Sequence, residues 1–141
     1  MKTFVRGGIR IQYPVNWSVE TDEDGPAWSA NIVSKDTAFV LASLRPDVDH
    51  PAELADEALD VLKAEYKDLD ADPVVENIAG QPAVGYDIDF LAVDTSVVSF
   101  IRALNTPDGP LLLLAQVSEY DREANEPLLR AILASVQIED E

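Results

Sequence analysis

The sequence predicts an α+β domain: a mostly antiparallel β-sheet of about six to seven strands, flanked by one long helix and one C-terminal helix. Three observations carry that prediction. Apolar and polar residues alternate in many short runs, as Ile9, Ile11 and Tyr13 do around Arg10 and Gln12. Helical spacing replaces this alternation in only two places. The run Leu111-Leu112-Leu113-Leu114 does not alternate at all, so its strand is apolar on both sides and calls for cover on both faces. The simplest arrangement puts the long helix on one face and the C-terminal helix on the other.

The elements follow in order. Gly7-Gly8 lies between Phe4-Val5 and Ile9-Arg10-Ile11, the pattern of a tight hairpin. TDEDGP (21–26) reads as a polar turn leading into WSANIV (28–33), where Trp28, Ala30 and Ile32 share a face; AFVLASL (38–44) is a further strand. From Pro51 to Leu69 the period changes, with Leu54, Ala58, Val61, Leu62, Tyr66 and Leu69 forming a helical stripe. Asp49 or His50 stands at the cap position, Pro51 suits the first turn, Glu53 complements the dipole, and Pro73 bars continuation. Strands return at 74–79, 83–92, 96–104 and 110–119, with GQP (80–82) and NTPDGP (105–110) as turns. A second helix, roughly Glu123 to Ser135, presents Leu128, Leu129, Ile132 and Leu133, with Pro127 in its early part; Val136-Gln137-Ile138 closes the chain.

The 141 residues amount to a single domain over 1–141, and their 47% hydrophobic content can fill its core without a disulfide or metal staple. There is no cysteine, which excludes thiol catalysis and thiolate metal sites. The N-terminus has no apolar signal core and no window approaches a membrane span of ~18 apolar residues, so the expectation is a soluble, cytoplasmic chain without membrane insertion. A protein whose signal peptide had been removed on export would read the same. Ten basic against 27 acidic residues leave a net charge of -17, which repels phosphate backbones and excludes nucleic acid as a partner. Such a surface serves solubility or a salty cytoplasm; alternatively it faces a basic partner.

Between the first strands, Pro14 cuts a good strand and Trp17 follows at once. This YPVNW resembles the "YP-x-x-W" signature of the PsbP-like superfamily, which includes the photosystem oxygen-evolving subunit, a eukaryotic Ran-binding import factor and bacterial DcrB-like proteins. Pro14 would fix a turn, Asn16 would take the left-handed conformation, and Trp17 would pack under the sheet it re-enters. GQPA (80–83) is similar to the family's "G-x-P-A", and LLRAILASVQI to its closing helix and strand. The resemblance implies an α/β/α sandwich and a non-enzymatic role in binding or escorting other proteins. No residue-level binding motif of a subfamily is present to carry over.

The chain offers little chemistry. Asp47, Asp49, His50 and Glu53 could be read as a hard-cation or zinc site, but one histidine among carboxylates at a helix start is better explained by capping and solvation. Asp87 and Asp89 share a strand face at about 7 Å, a spacing also found in glycosidases, without any sign of a sugar cleft. GxSxG, GxGxxG and P-loop patterns are absent. The expectation is therefore no catalysis and no cofactor.

The hairpin 83–104 supplies the candidate surface. A two-residue turn at Asp94-Thr95, or a four-residue loop with the same centre, sets Asp87 opposite Arg102, Ile88 opposite Ile101 and Asp89 beside Phe100. Asp87, Asp89, Leu91, Val98, Phe100 and Arg102 then share one face, partly covered by the C-terminal helix and open at the Asp89–Phe100 end. The function expected is a protein-binding, chaperone or adaptor module, with homodimerisation open to it. The alternative is a small-ligand binder with a pocket between sheet and helix. A large exposed apolar patch on a sheet face favours the first, and a closed concave pocket the second.

Overall fold

A computed structural model of the protein describes residues 1–139. Twelve elements follow one another: β1 (Lys2–Arg6), β2 (Ile9–Tyr13), β3 (Ser18–Asp24), β4 (Ala27–Val33), β5 (Phe39–Leu44), α1 (Pro51–Glu65), β6 (Leu69–Ile78), β7 (Gln81–Ala92), β8 (Thr95–Thr106), β9 (Gly109–Ser118), α2 (Arg122–Ala134) and β10 (Gln137–Ile138). The main sheet has seven strands in the order β3-β4-β5-β9-β8-β7-β6, every neighbour antiparallel. A separate antiparallel sheet, β1-β2-β10, joins the two ends of the chain.

The main sheet is covered on both sides, as the leucine run requires. Leu111 and Leu113 point into the larger core with Leu129, Ile132 and Leu133 of α2, and with Ile9, Ile11, Trp17 and Trp28. Leu112 points the other way, into a second core with Leu54, Ala55, Leu59 and Leu62 of α1. The small sheet lies on the α2 side, where Phe4 meets Trp28 with ring centroids 5.7 Å apart. No helix among the described residues is long and apolar enough to cross a membrane.

Several boundaries differ from the sequence reading, each for a local reason. YPVNW does not return the chain to the same sheet; it carries it out of the small sheet and into the main one. The turn is closed by the Trp17 N–H donating to the Pro14 carbonyl at 3.0 Å, and Asn16 keeps a negative φ. Trp17 is buried as expected. β3 runs through the acidic stretch to Asp24, paired with Ala27, and only Gly25-Pro26 turn. α1 stops at Glu65 rather than Leu69, because Tyr66 takes an extended conformation that stacks its ring on Phe90 at 4.3 Å, while Leu69 pairs with Phe90 in the sheet. His50 is its cap residue but offers no side-chain cap bond. Pro73, expected as a helix stop, sits inside β6, tolerable because β6 is an edge strand. The GQP turn is centred one residue earlier, on Ala79 and Gly80 with φ of 54° and 76°. Gln81 then uses its amide as a backbone substitute, giving an N–H to the Asn105 carbonyl (2.8 Å) and accepting the Asn105 N–H (3.1 Å).

The β7–β8 hairpin turns at Val93-Asp94, so Ala92 pairs with Thr95 and the register is two residues from the one expected. Phe100, not Arg102, lies opposite Asp87; Gly85 lies opposite Arg102, and Val98 opposite Asp89. A two-residue shift preserves every side chain's face, so the pattern alone could not separate the two registers. Gly85 decides it. A Cβ there would lie 1.7 Å from the Ile101 carbonyl oxygen, so only glycine lets the strands approach this closely. Over that bare backbone Arg102 lays its guanidinium.

Candidate docking surface

Arg102 is 2% exposed and fully engaged. It donates to Asp87 Oδ1 at 2.8 Å, to Glu76 Oε1, and to the carbonyls of Ile101 and Tyr86 at 2.9 and 3.3 Å. Asp87 is thus reached diagonally across the strands rather than directly. Val98 and Phe100 are also buried, and Arg130 of α2 caps the Phe100 ring at 4.6 Å. Of the six residues the sequence brings to this surface, Val98, Phe100 and Arg102 are therefore core and unavailable to a partner. Asp89 and Leu91 are exposed and Asp87 is partly so; the three groups share a face but leave no continuous apolar patch. Asp87 and Asp89 are not a matched acid pair either, since one is held in an ion pair and the other is free in solvent.

Near the start of α1, Asp47 holds Arg45 through two bonds of 2.9 and 3.0 Å, and Glu57 holds the same guanidinium at 3.0 Å. The Arg45 hydrogen bond keeps the Asp47 carboxyl below the usual carboxylate range. Among the described residues no three acidic, His or Cys side chains gather into a set able to hold a metal. Between α1 and the β6–β7 edge, Ala55, Asp56, Val74, Gly85 and Tyr86 line a cleft of about 220 Å³. That is smaller than the roughly 300–1,000 Å³ of ligand pockets.

A different surface lies on the other half of the sheet. α1 packs mainly over β7, β8 and β9. On the same side of the sheet, β4 and β5 continue with a strict alternation in which one set of side chains is buried beneath the small sheet and α2, and the other is half-exposed. Val33, Phe39, Leu41 and Leu114 are the large apolar members of that half-exposed set, Ala27 a small one, and Ser29, Asn31, Ser43 and Gln116 the polar ones. Beyond them β3 turns Glu20, Asp22 and Asp24 to this side, all exposed. The orientation of α1 follows from its partners. Asp56 accepts the Tyr86 hydroxyl at 2.6 Å toward β7, whereas Glu57 reaches Arg45 after β5. The Glu57 flank, and with it Val61 at 61% exposure, is therefore turned to the open half of the sheet. Val61 was expected in the buried stripe; it lies instead along the wall of this shallow groove.

The sequence could have pointed here. The alternation of AWSANIV and FVLASL places Phe39, Leu41 and Val33 on the face opposite Trp28 and Val40, and two helices do not suffice to cover two faces of a seven-stranded sheet.

No family model and no curated protein matches this chain. Solved structures do. A protein from Bacteroides thetaiotaomicron superposes with a TM-score of 0.61 at 14% identity; the match covers 99% of this chain but 49% of that one, so the chain spans about half its length. PA94 from Pseudomonas aeruginosa, a protein of unknown function, gives 0.59 at 15% identity and covers 100% and 99% of the two chains. LpqN of Mycobacterium tuberculosis, involved in cell envelope biogenesis, gives 0.56 at 13%, covering 94% of this chain and 83% of that one. These proteins share a fold with this chain. At such identity the likeness extends no further.

Proposed function

We propose that the protein is a non-enzymatic binding module for another protein, of chaperone or adaptor type, and that it docks its partner on the open half of the main sheet. The observation that carries this reading is the half-exposed row Val33, Phe39, Leu41 and Leu114 beside the uncovered flank of α1. Contiguous apolar surface on a folded domain costs solvation free energy, and where it is kept it marks interaction sites. The PsbP-like resemblance of YPVNW and GQPA supports the same reading, since members of that superfamily escort or bind proteins. The small-ligand alternative is placed second because the cleft between α1 and the sheet, at about 220 Å³, falls below the size of most ligand pockets.

A photocrosslinking residue in place of Leu41 tests the proposal in the native cell. A discrete protein adduct from Leu41, and none from Glu123 on the outer face of α2, is the expected result. Illumination that yields no protein adduct at Leu41 overturns it.

A further inference from the structure

We infer that the occupant of this groove is a basic amphipathic helix of the partner protein; the inference rests on the docking reading above. Two features of the groove carry it. The first is its width. From β9 to β3 the sheet spans three strand spacings, roughly 14 Å, which accommodates one helix of about 10 Å beside α1. A helix laid there would complete the layer that α1 begins.

The second is charge. The apolar floor is bordered by Glu20, Asp22 and Asp24 along β3, all exposed. On the opposite wall Glu57 flanks Val61. The cation at this end of the groove, Arg45, is already held by Asp47 and Glu57, so it neutralises none of the β3 carboxylates. A ligand that fits must be apolar along its centre and positive along its sides. Leu or Val at helical spacing with Lys or Arg to either flank meets that description. A second copy of this chain does not, because a net charge of -17 would bring like charges together at the same border.

The test uses three synthetic peptides of roughly 15 residues, long enough for about 22 Å of helix. One carries a leucine stripe flanked by lysines, one replaces each lysine by glutamate, and one scrambles the first so that charge is kept and amphipathicity lost. Binding is followed by fluorescence anisotropy at about 0.15 M salt, where charges beyond ~8 Å are screened, and mapped by amide chemical shifts. The lysine peptide is expected to bind at least roughly tenfold more tightly than either companion, and to shift amides in β3, β4 and β5. The variant Glu20→Lys/Asp22→Lys/Asp24→Lys should weaken it about tenfold, and Asp22→Lys alone in the same direction. Asp70→Lys/Asp72→Lys/Asp89→Lys changes the net charge equally at the other edge and should leave the affinity within about twofold. Equal binding of the scrambled peptide, or equal loss in both triple variants, overturns the inference as mere attraction to an acidic protein. If the Leu41 adduct traps a partner segment that is neutral or acidic, the docking surface stands and the basic helix does not.

Discussion

Arg102 and Gly85 act as one unit. A guanidinium with four acceptors, buried over a residue that has no side chain, pins β6, β7 and β8 to one another. Gly85→Ala is expected to lower stability by more than ~3 kcal/mol, because the new Cβ would collide with main chain that cannot move aside; chemical denaturation measures it. Arg102→Lys keeps the charge but loses the planar fork, and a loss of about 1–3 kcal/mol is expected. Trp17→Ala empties a buried aromatic site and should cost ~3–5 kcal/mol; a measured loss under about 1 kcal/mol would mean that YPVNW is not an anchor. Asp121 is a different kind of residue. Burial alone would raise its carboxyl pKa, but hydrogen bonds from the Thr37 hydroxyl, the Asn125 amide at 2.7 Å and the Thr37 N–H at 3.2 Å outweigh that and hold it below the usual value. A carboxyl depressed in the folded state adds stability above its unfolded pKa of ~3.9, and this is lost as pH falls through the folded value. Asp121→Asn should therefore lower the melting temperature at pH 7 and flatten its decline between about pH 5 and 3.

At the scale of elements, both helices, the hairpins and the antiparallel pairing were legible because alternation and helical spacing are local signals. What escaped the pattern depended on distant partners. Leu69-Asp70-Ala71-Asp72 could extend a helix or start a strand, and its pairing with Phe90 through Asp87 decides for strand. The hairpin register was ambiguous by two residues until the contact between Gly85 and Ile101 was known. The candidate surface was half legible: Asp87, Asp89, Leu91, Val98, Phe100 and Arg102 do share a face, but the depth of cover by α2 and Arg130 is a packing property. The clasp at the start of α2, where Asp121 and Asn125 grip Asp36 and Thr37 in the β4–β5 turn, joins residues far apart in sequence and left no local mark. Weakening it with Thr37→Val, which deletes the hydroxyl bond to Asp121, should loosen α2 before the sheet, visible as faster amide exchange confined to the first turns of that helix.

For the molecule as a whole, 27 acidic and ten basic residues on one domain mean self-repulsion in the folded state. Raising salt from about 0.02 to 1 M shortens the screening length from roughly 20 Å to 3 Å, and the melting temperature is expected to climb by several degrees. A flat or falling profile would show that the ion pairs of Arg45, Arg102 and Arg122 matter more than the net field.

The small sheet bears on how the chain is made. β2 finds its second neighbour only in β10, where Gln137 pairs with Arg10 and Ile138 with Ile9. The β1–β2 hairpin, made before the rest of this domain, must therefore wait for β10 before its sheet is whole. Ile9 and Ile11, buried in the folded domain, stay without α2 until the segment beyond Arg122 has been made. Chains stalled on the ribosome after Glu119 should accordingly be cleaved by protease within residues 1–17, and released chains that carry α2 and β10 should resist.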